Sequence, residues 1–303
     1  MSGATQFDER LRSSAFAYLR AVQLSTGGPV RYVEVADFKF EGERVPLMAT
    51  QQGIRKPHQL IAALSIRTAY TANPERRPYD DIPGPDGLLR YKWRGENPDH
   101  YENRAMREAF KHGLPLIWFQ GISSGVYLPV FPVWLVAEER ALHQFAVAVN
   151  LDQKQELQTS VVDLDLRRTY HERIVKERVH QPVFRARVLS AYEGKCAICR
   201  LRHAELLDAA HIRSDADGGA PVVTNGISLC KIHHAAYDTN LLGIDTDYRV
   251  QMRPDLLVET DGPTLKHTLQ ELHATKLELP RQRAARPDRD LLAERFEQFE
   301  AAK

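Results

Sequence analysis

All three cysteines of the 303-residue chain lie between positions 196 and 230, as Cys196-Ala-Ile-Cys199 and Cys230-Lys-Ile-His233. Two short knuckles with the same two-residue gap offer three thiolates and one imidazole, a closed tetrahedral set suited to structural Zn²⁺ with no position left for substrate. The plainer alternative is a group of buried, reduced cysteines acting as small hydrophobes. Between and just after the knuckles stand Asp208, His211, Asn225, His234 and Asp238. Those types suit phosphodiester hydrolysis, which needs an activated water, a cation to absorb charge developing on phosphate, and groups that position both. A histidine titrates near neutrality and can accept the water's proton. His234 and Asp238 are four apart, so a helix would bring them to one face, where they could share a divalent ion; Asp238 could equally tether the helix end.

The segments around these residues read as strand (Leu206 to Ile212), Gly-containing loop, strand (Asn225 to Cys230) and helix (His233 to Asp238). In motif order, spacing and knuckles the stretch from about 180 to 245 resembles the HNH nucleases, a ββα-metal fold whose name residues fall here at His211, Asn225 and His234. The resemblance implies that His211 is the general base, that Asn225 holds the imidazole or its loop in register without titrating, and that His234 binds a catalytic Mg²⁺ or Mn²⁺. Many members place an acid or histidine directly before the general base. Here that position is Ala210, so Asp208 is the nearest carboxylate available to the catalytic ion, with Asp238 as the other candidate.

The first 150 residues have a different texture. Short runs rich in branched and aromatic residues, Arg31 to Val35, Pro115 to Phe119 and Val126 to Phe131, alternate with Gly/Pro turns and predict strands. Helices are expected at Pro57 to Tyr70 and Asn103 to Lys111. Within this half, Tyr79 to Gly95 sets aromatic residues around the Asp80-Asp81 pair and a Gly-rich turn. With Asn103 to Met106, Gly113 to Ile117, Gly121 and the strand containing Tyr127, residues 30 to 140 resemble the SRA family, PUA-like β-barrels that read modified cytosine by flipping it from duplex DNA. The turn between Asp81 and Trp93 is longer than that family's, and its small-residue run after Gly95 is missing. The resemblance implies a pocket in which Tyr79 lies under the base, Asp81 accepts from its exocyclic amine and Trp93 or Tyr91 closes the other face. It also places DNA-probing side chains in the polar loop holding Gln52 and Arg55. Barrel core for the aromatics, and a solvated turn for the acids and the loop, are the alternatives.

These readings define the expected architecture: an α+β chain with a PUA-like (SRA) β-barrel and helices in residues 1–160, then a linker and a zinc-stabilised ββα-metal HNH domain in residues 161–303. The linker is expected to begin in the polar stretch Asn150 to Ser160. Net charge is only +1, from 41 basic and 40 acidic residues, so DNA binding must rely on local patches. The basic run containing Arg173, Lys176 and Arg178, continuing to Arg185 and Arg187, is the candidate for phosphate contacts, or else an ordinary solvated helix face. Helical periodicity returns at Leu265 to His273 and Asp288 to Phe299, without evident chemistry.

No apolar run approaches the roughly 18 residues of a membrane span, since Pro129 and Pro132 interrupt the best candidate, Val126 to Ala137. The polar start lacks the apolar core of a signal peptide. A cytoplasmic protein without a membrane or nucleotide partner is therefore expected. The combined expectation is a modification-dependent endonuclease acting on double-stranded DNA that carries 5-methyl- or 5-hydroxymethylcytosine, working as a homodimer where both strands are cut. A non-cleaving reader of modified DNA and an unspecific HNH nuclease are the alternatives.

Overall fold

The computed structural model describes residues 3–49, 51–71, 83–156 and 164–302, which form two compact units, Met1–Val183 and Phe184–Lys303. The fold is mixed α+β.

Unit 1 opens with α1 (Gly3–Thr26), which sequence reading missed although Leu11, Ala15 and Leu19 recur every four residues and are fully buried. Then come β1 (Val30–Arg31), α2 (Tyr32–Ala36), β2 (Lys39–Phe40), β3 (Glu43–Arg44), β4 (Ile54–Arg55), β5 (Ser65–Thr68), β6 (Leu89–Lys92), α3 (Tyr101–Lys111), β7 (Leu116–Ser123), β8 (Val126–Glu139), β9 (Gln144–Ala148), α4 (Leu151–Glu156) and α5 (Leu164–Val175). A curled half-barrel sheet runs β4-β5-β7-β8-β9-β6, with β1 also paired to β8. The long β8 lets one strand serve both halves of that curl: it pairs with β7 through its first part and with β9 through its last.

Two expectations are corrected here. Pro57 to Tyr70 is not a helix; turns lead into β5, which pairs in parallel with β7. Ala62, Ala63, Leu64 and Ile66 are fully buried. A strand covered on both faces carries a continuous apolar run, without the alternation that would have marked it in the sequence. Arg31 to Val35 is mostly the short helix α2 rather than a strand. The helix expected at Asn103 to Lys111 is present as α3, started by His100, whose ring accepts the Glu102 N–H.

Asn150 to Glu156, read as the start of a linker, pack into the unit: the Gln153 side chain is fully buried and accepts the Val149 N–H at 2.8 Å. Residues 157–160 of that stretch lie outside the described residues. Helix α5 continues through a π-form segment, Lys176–His180, into α6 (Gln181–Ala191), within which the two units divide.

The turn preceding β6 is fastened by Arg90, a buried guanidinium 2.9 Å from Asp86 and 2.7 Å from Glu139. The Arg90 hydrogen bond, joined by one from Gln144, outweighs burial and holds Glu139 below the usual carboxylate range. A carboxylate depressed in this way contributes stability that is fully present above its unfolded pKa, near 4.3, and is lost as pH falls through its folded value. Thermal melts of Glu139→Gln are therefore expected to show a shallower loss of stability than the parent below about pH 5.

Unit 2 contains β10 (Leu207–His211), β11 (Gly226–Cys230), α7 (Lys231–Asp238), β12 (Leu242–Ile244), β13 (Val250–Met252), α8 (Pro254–Val258), α9 (Pro263–Thr268) and α10 (Arg289–Ala301). Antiparallel β10 and β11 lead directly into α7, in the strand–loop–strand–helix order read from the sequence. Asp288 caps α10 by accepting the Asp290 and Leu291 N–H groups. The unit buries its own core, including Val188, Tyr192, Ile227, Leu229, Tyr237 and Leu292. Among the described residues no helix is long and apolar enough to cross a membrane.

Candidate nuclease site and zinc cluster

The register of the β10/β11 ribbon separates two chemistries. Leu207 pairs with Cys230 at one end and His211 with Gly226 at the other. Consecutive residues of α7 then point differently: His233 is fully buried, whereas the His234 side chain is 26% exposed.

At the Cys230 end, the ligand atoms of Cys196, Cys199, Cys230 and His233 all lie within 4.8 Å of one another. The His233 Nδ1 is 3.4 Å from the Cys196 Sγ and 3.2 Å from the Cys230 Sγ, and the Cys199 and Cys230 sulfurs are 3.9 Å apart. Edges of this size suit a tetrahedral ion with metal–sulfur bonds of about 2.3 Å and a metal–nitrogen bond of about 2.0 Å. The other ring nitrogen, Nε2, lies 2.7 Å from the Thr268 carbonyl and donates to it, which leaves Nδ1 as the ligand atom. The donor set therefore fits Zn²⁺. Burial opposes a charged His233, but the hydrogen bonds its ring donates to the Cys196 and Cys230 sulfurs prevail and push it up to about 10, while Cys196 and Cys199 hold the Cys230 thiol far below its ordinary value.

At the opposite end, His211, His234 and Asp238 line one cleft of about 690 Å³, together with the loop after β10 and one face of α10. The His211 ring stacks on Phe184 of α6, with centroids 4.1 Å apart and planes at 19°. Opposite His211 only glycine fits: a Cβ on Gly226 would stand 2.5 Å from Val188 and 2.8 Å from Phe184.

Asn225 is buried and clamps the loop. Its Oδ1 accepts the Arg213 N–H at 2.9 Å, and its Nδ2 donates to the Arg213 and Ala220 carbonyls at 3.1 and 3.0 Å. Asn225 thus fixes the chain two residues beyond His211. Asn225→Ala orphans three backbone groups, and the expected loss is roughly 2 to 4 kcal/mol from the usual cost of such groups, read as a lowered denaturation midpoint for unit 2.

His234 sits between two acids, with Nδ1 3.5 Å from Asp208 and Nε2 3.3 Å from Asp238. Asp208 also receives Lys231 at 2.6 Å and lies 3.8 Å from Arg185. Burial would raise the Asp208 pKa, yet hydrogen bonds from Lys231 and His234 overcome it and hold the carboxylate below its ordinary value. Asp208 does not line the cleft, whereas Asp238 does.

Sequence reading found no chemistry in the C-terminal helices, but α10 brings Glu294 and Arg295 to this cleft. Arg295 donates to the Asn240 side chain and the Tyr237 carbonyl and lies 4.7 Å over the Tyr237 ring. Arg213, one residue past the motif, pairs with Glu294. No motif spacing predicts a contact made by tertiary packing alone.

The other expected site residues lie elsewhere. Tyr79 and Asp81 fall outside the described residues. Tyr91 and Trp93 are buried, at 8% and 4% exposure. Tyr91 packs edge-on against Trp118 and its hydroxyl donates to the Gly53 carbonyl at 2.9 Å. Trp93 stacks on His143 at 4.9 Å and carries the Arg107 guanidinium over its ring. In the 51–56 loop, Gln52 donates to the Tyr101 hydroxyl at 2.6 Å and Arg55 to the Pro46 carbonyl at 3.2 Å. On the helical run, Arg173 is 4.0 Å from Glu177 and over Tyr170, Lys176 is partly buried and Arg178 is exposed. Arg185 donates to the Ala204 and Leu207 carbonyls and so supports β10.

Residues 196–245, which hold the four zinc-type ligands, His211, Asn225, His234 and Asp238, match the family described as HNH endonuclease. The chain therefore carries an HNH endonuclease domain and is a metal-dependent nuclease. Among solved structures, it is similar to the modification dependent TagI restriction endonuclease, with a TM-score of 0.31 and 18% identity over 82% of this chain and 86% of that one. It is also similar to the type IV phosphorothioation-dependent restriction endonuclease ScoMcrA, with a TM-score of 0.26 and 15% identity over 83% of this chain and 53% of that one. A comparison with the curated proteins returns no match.

Proposed function

We propose that this chain is a modification-dependent DNA endonuclease whose unit 2 hydrolyses the backbone near a modified cytosine read by unit 1. The observation that carries the nuclease half is the convergence of His211, His234 and Asp238 on one cleft beside a loop clamped by Asn225. His211 takes the proton of the attacking water, held flat by Phe184 and placed by the ribbon end. His234 and Asp238 present nitrogen and carboxylate donors to the cleft, and they are the residues that would hold Mg²⁺ or Mn²⁺. That ion, when bound, supplies positive charge for the phosphate and the leaving oxygen. Asp208 acts behind them: charged and paired with Lys231, it orients the His234 ring from its Nδ1 side, as carboxylates do for metal-binding histidines. Cys196, Cys199, Cys230 and His233 take Zn²⁺ as a structural staple.

The reading half rests on the resemblance of residues 30–140 to base-flipping barrels and on the half-barrel of unit 1. Tyr79 and Asp81 remain its pocket residues, with 5-methyl- or 5-hydroxymethylcytosine as the ligand. Gln52, Arg55, Arg173, Lys176 and Arg178 are proposed to contact the duplex. One cleft cuts one strand, so a double-strand break calls for two copies of the chain.

The test is to incubate matched duplexes carrying plain, 5-methyl- and 5-hydroxymethylcytosine with the full chain and Mg²⁺ or Mn²⁺. Preferential cleavage of a modified duplex is expected, with the preference reduced in Asp81→Ala and the chemistry retained. Equal cleavage of all three duplexes would remove the reader while leaving the nuclease.

A further inference from the structure

A cleft that hydrolyses DNA must admit a phosphodiester anion, yet Asp215, Asp217, Asp238 and Glu294 all line this one. Among the described residues, its lining cations are Arg213 and Arg295. Arg295 is committed to the fold, because its guanidinium holds the Tyr237 carbonyl and the Asn240 side chain and lies over the Tyr237 ring. Arg213 is placed differently. Its backbone N–H and carbonyl are both gripped by buried Asn225, so its Cα is fixed two residues from His211. Its side chain is 38% exposed, and its guanidinium is directed onto one carboxylate, Glu294, which is itself 54% exposed.

We propose that Arg213 receives the backbone phosphate in the cleft, and that Glu294 holds the guanidinium in place until DNA displaces the carboxylate. This rests on the nuclease reading and adds to it the residue that binds the substrate anion and the helix that competes for it. The exchange is chemically even. An arginine fork suits a carboxylate and a phosphate alike, through parallel charge-assisted N–H bonds. An ion pair exposed on both sides adds little stability, so giving it up opposes binding only weakly. Once moved onto phosphate, Arg213 also stabilises the negative charge that grows as water attacks. While the pair is intact, the loop after β10 is tied to α10, and the Arg213 cation in the cleft is neutralised.

The test compares Arg213→Gln, Arg213→Lys, Glu294→Gln and the Arg213→Gln/Glu294→Gln double variant with the parent, all as full chains on one modified duplex with Mn²⁺. Single-turnover cleavage is measured across a salt series and thermal stability alongside. R213Q is expected to cleave about 10²-fold more slowly, the scale of losing one donor to a developing oxyanion, and R213K to recover part of that loss. E294Q is expected to cleave faster at low salt, by up to about fivefold, the scale of an exposed ion pair. Its salt dependence should steepen by about one counterion. The double variant should match R213Q. An E294Q rate at or below the parent's, or a drop in both rate and melting temperature shared by E294Q and R213Q, overturns the proposal and makes the pair a structural tie. A parent that cleaves no duplex at all would instead overturn the nuclease reading.

Discussion

Replacing His211 with alanine is expected to slow backbone cleavage by about 10² to 10⁴-fold, the range supplied by a positioned general base, while duplex binding stays within a factor of two or so. The separation follows from where the ring sits. His211 ends β10 in the lining of the cleft, stacked on Phe184, and its backbone pairs with Gly226 whatever the side chain. The substitution removes a half-exposed imidazole and its stacking contact, a loss of about 1 kcal/mol, so the fold survives. Single-turnover cleavage, filter binding and a thermal melt on the same preparation separate these effects. A variant that cleaves at the parental rate would place the base elsewhere.

Removing zinc is expected to have the second large effect, this time on the fold. The apparent binding energy of a structural zinc in small domains is about 10 to 16 kcal/mol, comparable with the whole stability of a typical domain. Here the four candidate ligands join the turn after α6, the end of β11 and the first turn of α7, so an ion there would fasten α7, which carries His234, to β11, the strand paired with the one that ends at His211. Cys230→Ser, or treatment with a chelator strong enough to strip zinc, should abolish the cooperative melting of unit 2 together with cleavage. Metal analysis should find one zinc per chain in the parent. Retention of the melt after zinc is lost would reduce the cluster to packed thiols, a role its buried Cys196 and Cys230 could also fill.

The candidate site was legible in the sequence because its parts are local. Knuckle spacing gave the four ligands, and the i, i+4 relation of His234 and Asp238 holds on α7 at 3.3 Å. What escaped was tertiary. The pairing of Arg213 with Glu294 joins residues 81 positions apart, and nothing in either segment marks it. Nor did the sequence mark the pairing of Lys231, at the start of α7, with Asp208. In unit 1 the aromatic residues around the turn suit a pocket wall or a barrel core equally, and the sequence did not show that Tyr91 and Trp93 are buried. Strand β5 was mistaken for helix because burial on both faces erases period-two alternation. Helix α1 carried a clear four-residue apolar repeat that was overlooked beside its polar first turns.

The most direct test of the central claim is strand scission of an end-labelled modified duplex by zinc-loaded full chain, before and after adding Mg²⁺ or Mn²⁺. A site built on His211, His234 and Asp238 predicts intact strands with zinc alone and defined cuts once the second ion is supplied, with none from His211→Ala over the same interval. Scission that proceeds equally without the added ion, or that His211→Ala retains in full, would contradict the account.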